Sequence, residues 1–237
     1  MTARASAIPP FNGERPDLLI IAGEHSGDEH AAAAIRALKR RRPDMKIAAF
    51  AGTAAEEAGA VLVRDLTEAA VVGLVEVVRH FSLIKELFGE CVGWIERHRP
   101  RAVCFVDYPG FNLRMAQTLF DRGLAARAGG PVRLLYYISP QIWAWKGKRR
   151  FTMANMLDGL AVIFPFEVDS YADTDLAVEF VGHPFLAPDH QLPLTWEKGA
   201  PVLLLPGSRR TAVARIFPVL LNAFRAYRRG KPEVHYT

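Results

Sequence analysis

An aspartate that leaves a run of strand formers and enters a Pro-Gly turn is placed for acid–base chemistry, and Val106-Asp107-Tyr108-Pro109-Gly110-Phe111-Asn112 has that form. Upstream, residues 102–106 are short, apolar and rich in strand formers. Downstream, Leu113, Ala116, Leu119 and Phe120 share one helical face, with Asn112 as the expected N-cap. Strand, loop and helix form the unit of an open parallel sheet, whose ligands sit outside the carboxyl ends of the strands. Asp107 is therefore the first candidate for chemistry. A turn or capping role for its carboxylate fits the same seven residues.

Two other loops carry complementary chemistry. Gly23-Glu24-His25-Ser26-Gly27-Asp28-Glu29 follows an apolar strand at 17–22, and Glu24, Ser26 and Asp28 suit sugar hydroxyls. Plain helix capping also accounts for Ser26, Asp28 and Glu29, because Ser26 and Glu29 have capping-box spacing. The glycines are not spaced as in a dinucleotide fingerprint, and the two acids would repel a pyrophosphate, so no nicotinamide or flavin cofactor is expected. Pro206-Gly207-Ser208-Arg209-Arg210 has glycine, serine and arginine without an acid, which is the composition of a phosphate site at a helix N-terminus. Gly207, Ser208 and Arg209 are its candidates. A third segment, 139–150, joins Trp143 and Trp145 to Lys146, Lys148, Arg149 and Arg150, a set suited to stack on a sugar ring or to hold a phosphate, with Trp145 as the stacking candidate. The absence of repeated stacking residues or of a recognised module argues against nucleic acid.

These loops need a scaffold, and the chain supplies a regular alternation. Strands are expected at 17–22, 46–51, 61–63, 102–106, 132–138, 158–163 and 178–181, with helices between them. The class is α/β, a Rossmann-like doubly wound parallel sheet. A helical stretch at 67–98, interrupted near Gly73 and Gly89 to Gly93, holds more apolar side chains than one buried stripe needs. Val71, Val72, Leu74, Val75, Phe81, Leu83 and Ile84 are candidates for an outward patch meeting acyl chains or a membrane surface. A core helix pair would use the same residues. Residues 187–200, with two prolines and few periodic apolar positions, read as a linker. A new strand at 201–205 and a helix at 211–229, with Val213, Ile216, Leu220, Ala223 and Phe224 inward, read as the opening of a second Rossmann-like domain that 201–237 leaves incomplete. The expected organisation is thus a disordered lead-in at 1–16, a domain at 17–186, the linker, and that partial domain.

Half of the 237 residues are hydrophobic and 23% are charged, a globular composition with enough apolar material for a large core. No apolar run reaches the length of a membrane-spanning helix. Cys91 and Cys104 lack metal spacing and read as free buried thiols, and no metal is expected. The first sixteen residues show no apolar signal region, so a cytoplasmic protein is expected. A net charge of +5 favours anionic partners.

Seven motifs together resemble the lipid-A-disaccharide synthase family. They are Ala22-Gly23-Glu24-His25-Ser26-Gly27-Asp28, Gly73-Leu74-Val75-Glu76-Val77, the Asp107 loop, Ser139-Pro140-Gln141-Ile142-Trp143-Ala144-Trp145, Phe164-Pro165-Phe166-Glu167, Gly182-His183-Pro184 and Leu205-Pro206-Gly207-Ser208-Arg209. Each is weak alone, but their shared order over 17–210 is specific. The resemblance implies a GT-B fold with an N-terminal acceptor-side domain and a partial C-terminal nucleotide-sugar domain. It implies an inverting glycosyltransferase that moves 2,3-diacylglucosamine from UDP-2,3-diacylglucosamine onto 2,3-diacylglucosamine 1-phosphate. Asp107 would be the essential aspartate and Arg209 an important arginine. The enzyme would lie on the inner face of the cytoplasmic membrane, and homo-oligomerisation stays open. The chain departs from the family in carrying Gly110 and Ala212 where acids are usual. Two alternatives remain: a catalytically silent fragment that binds acceptor or membrane, and another GT-B nucleotide-sugar enzyme. Turnover separates the first, and the lipid nature of the substrate the second.

Overall fold

The computed structural model describes residues 15–67, 77–187, 197–207 and 210–229, with main chain alone at 77–82 and 210. Its centre is a seven-stranded parallel sheet: β1 (Leu18–Ala22), β2 (Ile47–Ala51), β3 (Val61–Asp65), β4 (Ala102–Val106), β5 (Arg133–Tyr137), β6 (Gly159–Val162) and β7 (Val178–Phe180). The spatial order is β3-β2-β1-β4-β5-β6-β7. Helices α1 (His25–Arg41), α2 (Thr53–Glu57), α3 (Val77–His98), α4 (Pro109–Asp121) and α5 (Arg149–Met156) connect the strands.

The sequence of β1 shows why both faces of the sheet are covered. Leu19 and Ile21 enter one core with Phe50, Phe105, Leu134 and Tyr136, whereas Leu18, Ile20 and Ala22 enter another with Ala31 and Ile35. Alternate side chains of a strand point to opposite faces, so a run apolar at every position needs a core on each. At β1 the order reverses: β1 pairs with β2 on one side and β4 on the other. That reversal opens a crevice at the carboxyl ends of β1 and β4, the two strands that feed the Glu24 and Asp107 loops.

Two expected features differ. Helix α3 runs unbroken through Gly89 and Gly93. Cys91, Val92, Trp94 and Ile95 are all buried beside them, and this packing outweighs the ~1 kcal/mol that each glycine costs a helix. Across 201–205 the described residues show a single β-bridge position at Val202 and no continuous strand, and Leu203 and Leu205 are exposed.

The chain divides into two compact units, the second comprising 73–75 and 189–237. Within the described part of that second unit, α6 (Arg210–Tyr227) buries Phe224, while Ile216, Val219 and Ala223 are exposed. Of the five side chains expected inward, Ile216 and Ala223 are therefore not.

The turn before β5 is tightly built. Gly130 donates its N–H to Ala125 O at 2.9 Å, and a Cβ at Gly130 would stand 2.3 Å from the Leu124 carbonyl carbon and oxygen. Gly130→Ala must move backbone, and a loss of about 1–3 kcal/mol is expected in urea denaturation. An unchanged midpoint would contradict this packing.

Candidate active site

Asp107 stands at the carboxyl end of β4 in a left-handed conformation, φ 46°, and Tyr108 follows at φ 48°. Each such non-glycine residue costs roughly 1–3 kcal/mol and persists only where its surroundings fix it. Three donors fix this one. The Asp107 N–H bonds Tyr137 O at 3.0 Å. Tyr136 Oη donates to Asp107 O at 2.6 Å, and Asn112 Nδ2 donates to the same oxygen at 2.7 Å and to Val106 O at 3.2 Å. Asn112 thus corrects two expectations. It is not the N-cap, because α4 starts at Pro109 with Tyr108 as cap residue, and it is not available to an acceptor, because it is wholly buried beneath the loop.

The Asp107 carboxyl is half-buried, and that burial raises its pKa above the ordinary value near 3.8. A bond from the Tyr108 amide lowers it, Glu24 raises it, and His30 lowers it again. The balance is a carboxylate shifted toward neutrality without losing its charge-stabilising neighbours, as suits a base that must hold and release a proton.

The first loop lies against this one. A Cβ on Gly23 would fall 2.3 Å from the Tyr108 ring, so glycine there allows the two loops to meet. Glu24 is the half-buried cap residue of α1 and acts electrostatically on Asp107. Ser26 is exposed in the first turn and makes no capping bond, so no capping box forms. Asp28 is placed elsewhere: it is buried, and its carboxylate accepts from the amides of Gly52 (2.9 Å), Ala54 (3.0 Å) and Ala55 (3.1 Å). Buried and so occupied at the head of α2, this carboxylate is not presented to a sugar.

On the other side of Asp107 is a cleft of about 260 Å³ that Ser139, Gln141, Trp145, Arg149 and Glu167 help to line. Trp145 is 63% exposed and offers a ring face, with Lys146 Nζ 4.6 Å from its centroid. Glu167 is structural, accepting from the amides of Ile163 and Phe164 at 3.2 and 3.0 Å. The sequence reading missed His30 and Tyr136 as neighbours of this site, whereas Arg149 belongs to the cationic segment it had singled out. For His30 a signal existed, since it lies one helical turn after Ser26; the Tyr136 tether is visible only in three dimensions.

The remaining candidates separate. Leu83 and Ile84 are half-buried against the core, because α3 turns that side toward the sheet, and so do not form an outward patch. Val71, Val72, Leu74 and Val75, and the side chain of Phe81, lie outside the described residues. Gly207 is exposed with φ 102°, a conformation that favours glycine, and Ser208 and Arg209 lie outside the described residues. Among the described residues, no helix is long and apolar enough to cross a membrane.

Comparison with known proteins agrees with this architecture. A lipid-A-disaccharide synthase 1 of Legionella pneumophila is 37% identical over 229 residues, covering 92% of this chain and 58% of its own length. A lipid-A-disaccharide synthase of Nitrosococcus oceani is 36% identical over 233 residues, covering 93% and 57%. The chain thus spans less than two thirds of these relatives. A solved structure titled as the glycotransferase of kitacinnamycin superposes with a TM-score of 0.54 at 17% identity, over 94% of this chain and 65% of that one, which supports a GT-B fold. The family model of lipid-A-disaccharide synthetase matches residues 18–237, beginning with the first strand and taking in the Asp107 loop, and the chain belongs to that family.

Proposed function

We propose that this chain serves inverting transfer of 2,3-diacylglucosamine from UDP-2,3-diacylglucosamine to 2,3-diacylglucosamine 1-phosphate, giving a β-1,6-linked disaccharide and UDP. The observation that carries the reading is Asp107, a carboxylate with a raised pKa, held in a strained conformation at the reversal of the sheet and open to a cleft. Inversion requires one displacement, in which the acceptor oxygen bonds to the anomeric carbon as the bond to UDP breaks. Asp107 takes the proton of the attacking hydroxyl. Trp145 offers an apolar face to a sugar ring. Gly207, Ser208 and Arg209 would neutralise the charge growing on departing UDP. Family membership supports these substrates, as does the net positive charge for phosphorylated ligands. Acyl-chain substrates would be met at the inner face of the cytoplasmic membrane, and the apolar residues from Val71 to Phe81 are the segment proposed for that contact.

The test is to incubate the chain with both substrates in mild detergent and to follow disaccharide and UDP by mass spectrometry. Formation of both in equal amounts supports the reading. Failure to form disaccharide, together with failure to retain the acceptor, overturns it.

A further inference from the structure

Beside the Asp107 cleft lies a larger one, about 680 Å³, between the start of α4 and the segment entering α5. Its polar lining is cationic: Arg114, Lys146, Lys148 and Arg149, with Gln117 and Thr152 as neutral hydrogen-bonding groups. No carboxylate lines it. Among the described residues, none of these four cations is ion-paired.

This is unlike the pattern of the neighbouring arginines. Arg122 pairs with Glu96, Arg127 with Asp175, and Arg150, next in sequence to Arg149, with Asp173 through two bonds of 2.6 and 2.5 Å. Arg150 also donates to Gly147 O at 2.8 Å, which fixes the loop carrying Lys146 and Lys148. Lys146 is held in a left-handed conformation, φ 59°, with its ammonium over Trp145. Four like charges gathered around one cleft repel one another and concentrate an anion there. The charge comes from side chains, because the first-turn amides of α5 are already bonded: Arg149 N to Lys146 O and Arg150 N to Gly147 O.

The two clefts adjoin, since Pro109 and Arg149 line both. Leu113 and Met156 give the larger one an apolar part, so the ligand that fits is not an ion alone but an anion carried on a less polar body. We propose that this cleft is a phosphate-monoester subsite, which holds the phosphate of a sugar phosphate acceptor while the acceptor's reacting hydroxyl lies against Asp107. The orientation of the acceptor rests on the transfer reading above; the anion site itself does not. Arginine forks and ammonium groups both suit a dianionic phosphate.

The experiment is calorimetric titration of the chain with N-acetylglucosamine 1-phosphate and with N-acetylglucosamine. It is carried out for the parent, an Arg114→Gln/Lys148→Gln double variant, and Arg40→Gln as a control for lost charge. Arg114, Lys148 and Arg40 are exposed, and an unchanged thermal midpoint verifies the fold of each variant. Binding of the sugar phosphate at least tenfold tighter than the sugar, lost tenfold or more in the double variant and kept in the control, is expected. Equal binding by parent and double variant overturns the proposal, as does equal binding of sugar and sugar phosphate. Flotation with phosphatidylglycerol vesicles, against phosphatidylcholine, distinguishes the other source of phosphate: loss of flotation in the double variant without loss of sugar-phosphate binding assigns the cations to a lipid headgroup and also overturns it. Phosphate binding without disaccharide formation would leave this subsite standing while the transfer reading falls.

Discussion

Asp107→Asn is expected to lower disaccharide formation by a factor of about 10²–10⁴ and to leave the fold as stable as the parent or more so. The two effects have one origin. Burial raises the folded-state pKa of Asp107, so between the ordinary carboxylate value and the raised one the folded chain holds more proton than the unfolded chain. Stability from this group is therefore greatest at low pH and falls as pH rises through that window. Asparagine stays neutral throughout and removes the dependence. Transfer runs the other way, because a base must be unprotonated, so the acid limb of kcat/KM should lie above the ordinary carboxylate range. Thermal denaturation at several pH values and transfer assays on the same samples check both parts. An asparagine variant with parent turnover would remove Asp107 from the reaction.

Asp28→Ala is the complementary case, in which stability rather than chemistry should suffer. Its carboxylate satisfies three amides at the head of α2, and alanine would leave them enclosed without an acceptor. A loss of about 3 kcal/mol or more follows, which for a chain of this size is a fall in Tm of roughly 6–12 °C. Gly52 belongs to the same arrangement, since a Cβ there would stand 2.4 Å from Asp28 Oδ2. Asp28→Asn should be intermediate, as an amide nitrogen cannot accept from the donors that one oxygen now serves. Parent Tm with a raised acceptor KM in Asp28→Ala would instead return this residue to sugar binding.

The strands were legible because strands buried on both faces are apolar at nearly every position, and such runs stand out between turns. The loop after β4 was legible for the same reason, as the place where the run ends on an acid. Asp28 was not, because its partners at 52–55 are brought to it only when β2 pairs with β1. Asn112 was misread because caps and buried loop tethers use the same amide; only the burial of Asn112 beneath the loop tells them apart. Leu83 and Ile84 were misjudged by counting apolar residues, since the width of the buried stripe depends on how much sheet α3 must cover. Helix α6 and the segment before it were read by period alone, and a period states which residues share a face, not whether another element covers it.

The paired left-handed residues at Asp107 and Tyr108 set protein engineering against catalysis. A search for a hardier chain would select glycine at Tyr108, where a residue without Cβ relieves the backbone. The same change would remove the ring that lies over Gly23 and loosen the aspartate whose carbonyl Tyr136 and Asn112 hold. Thermostability gained at this position would be drawn from the loop's readiness to react, so heat resistance and turnover are best selected together here and separately elsewhere.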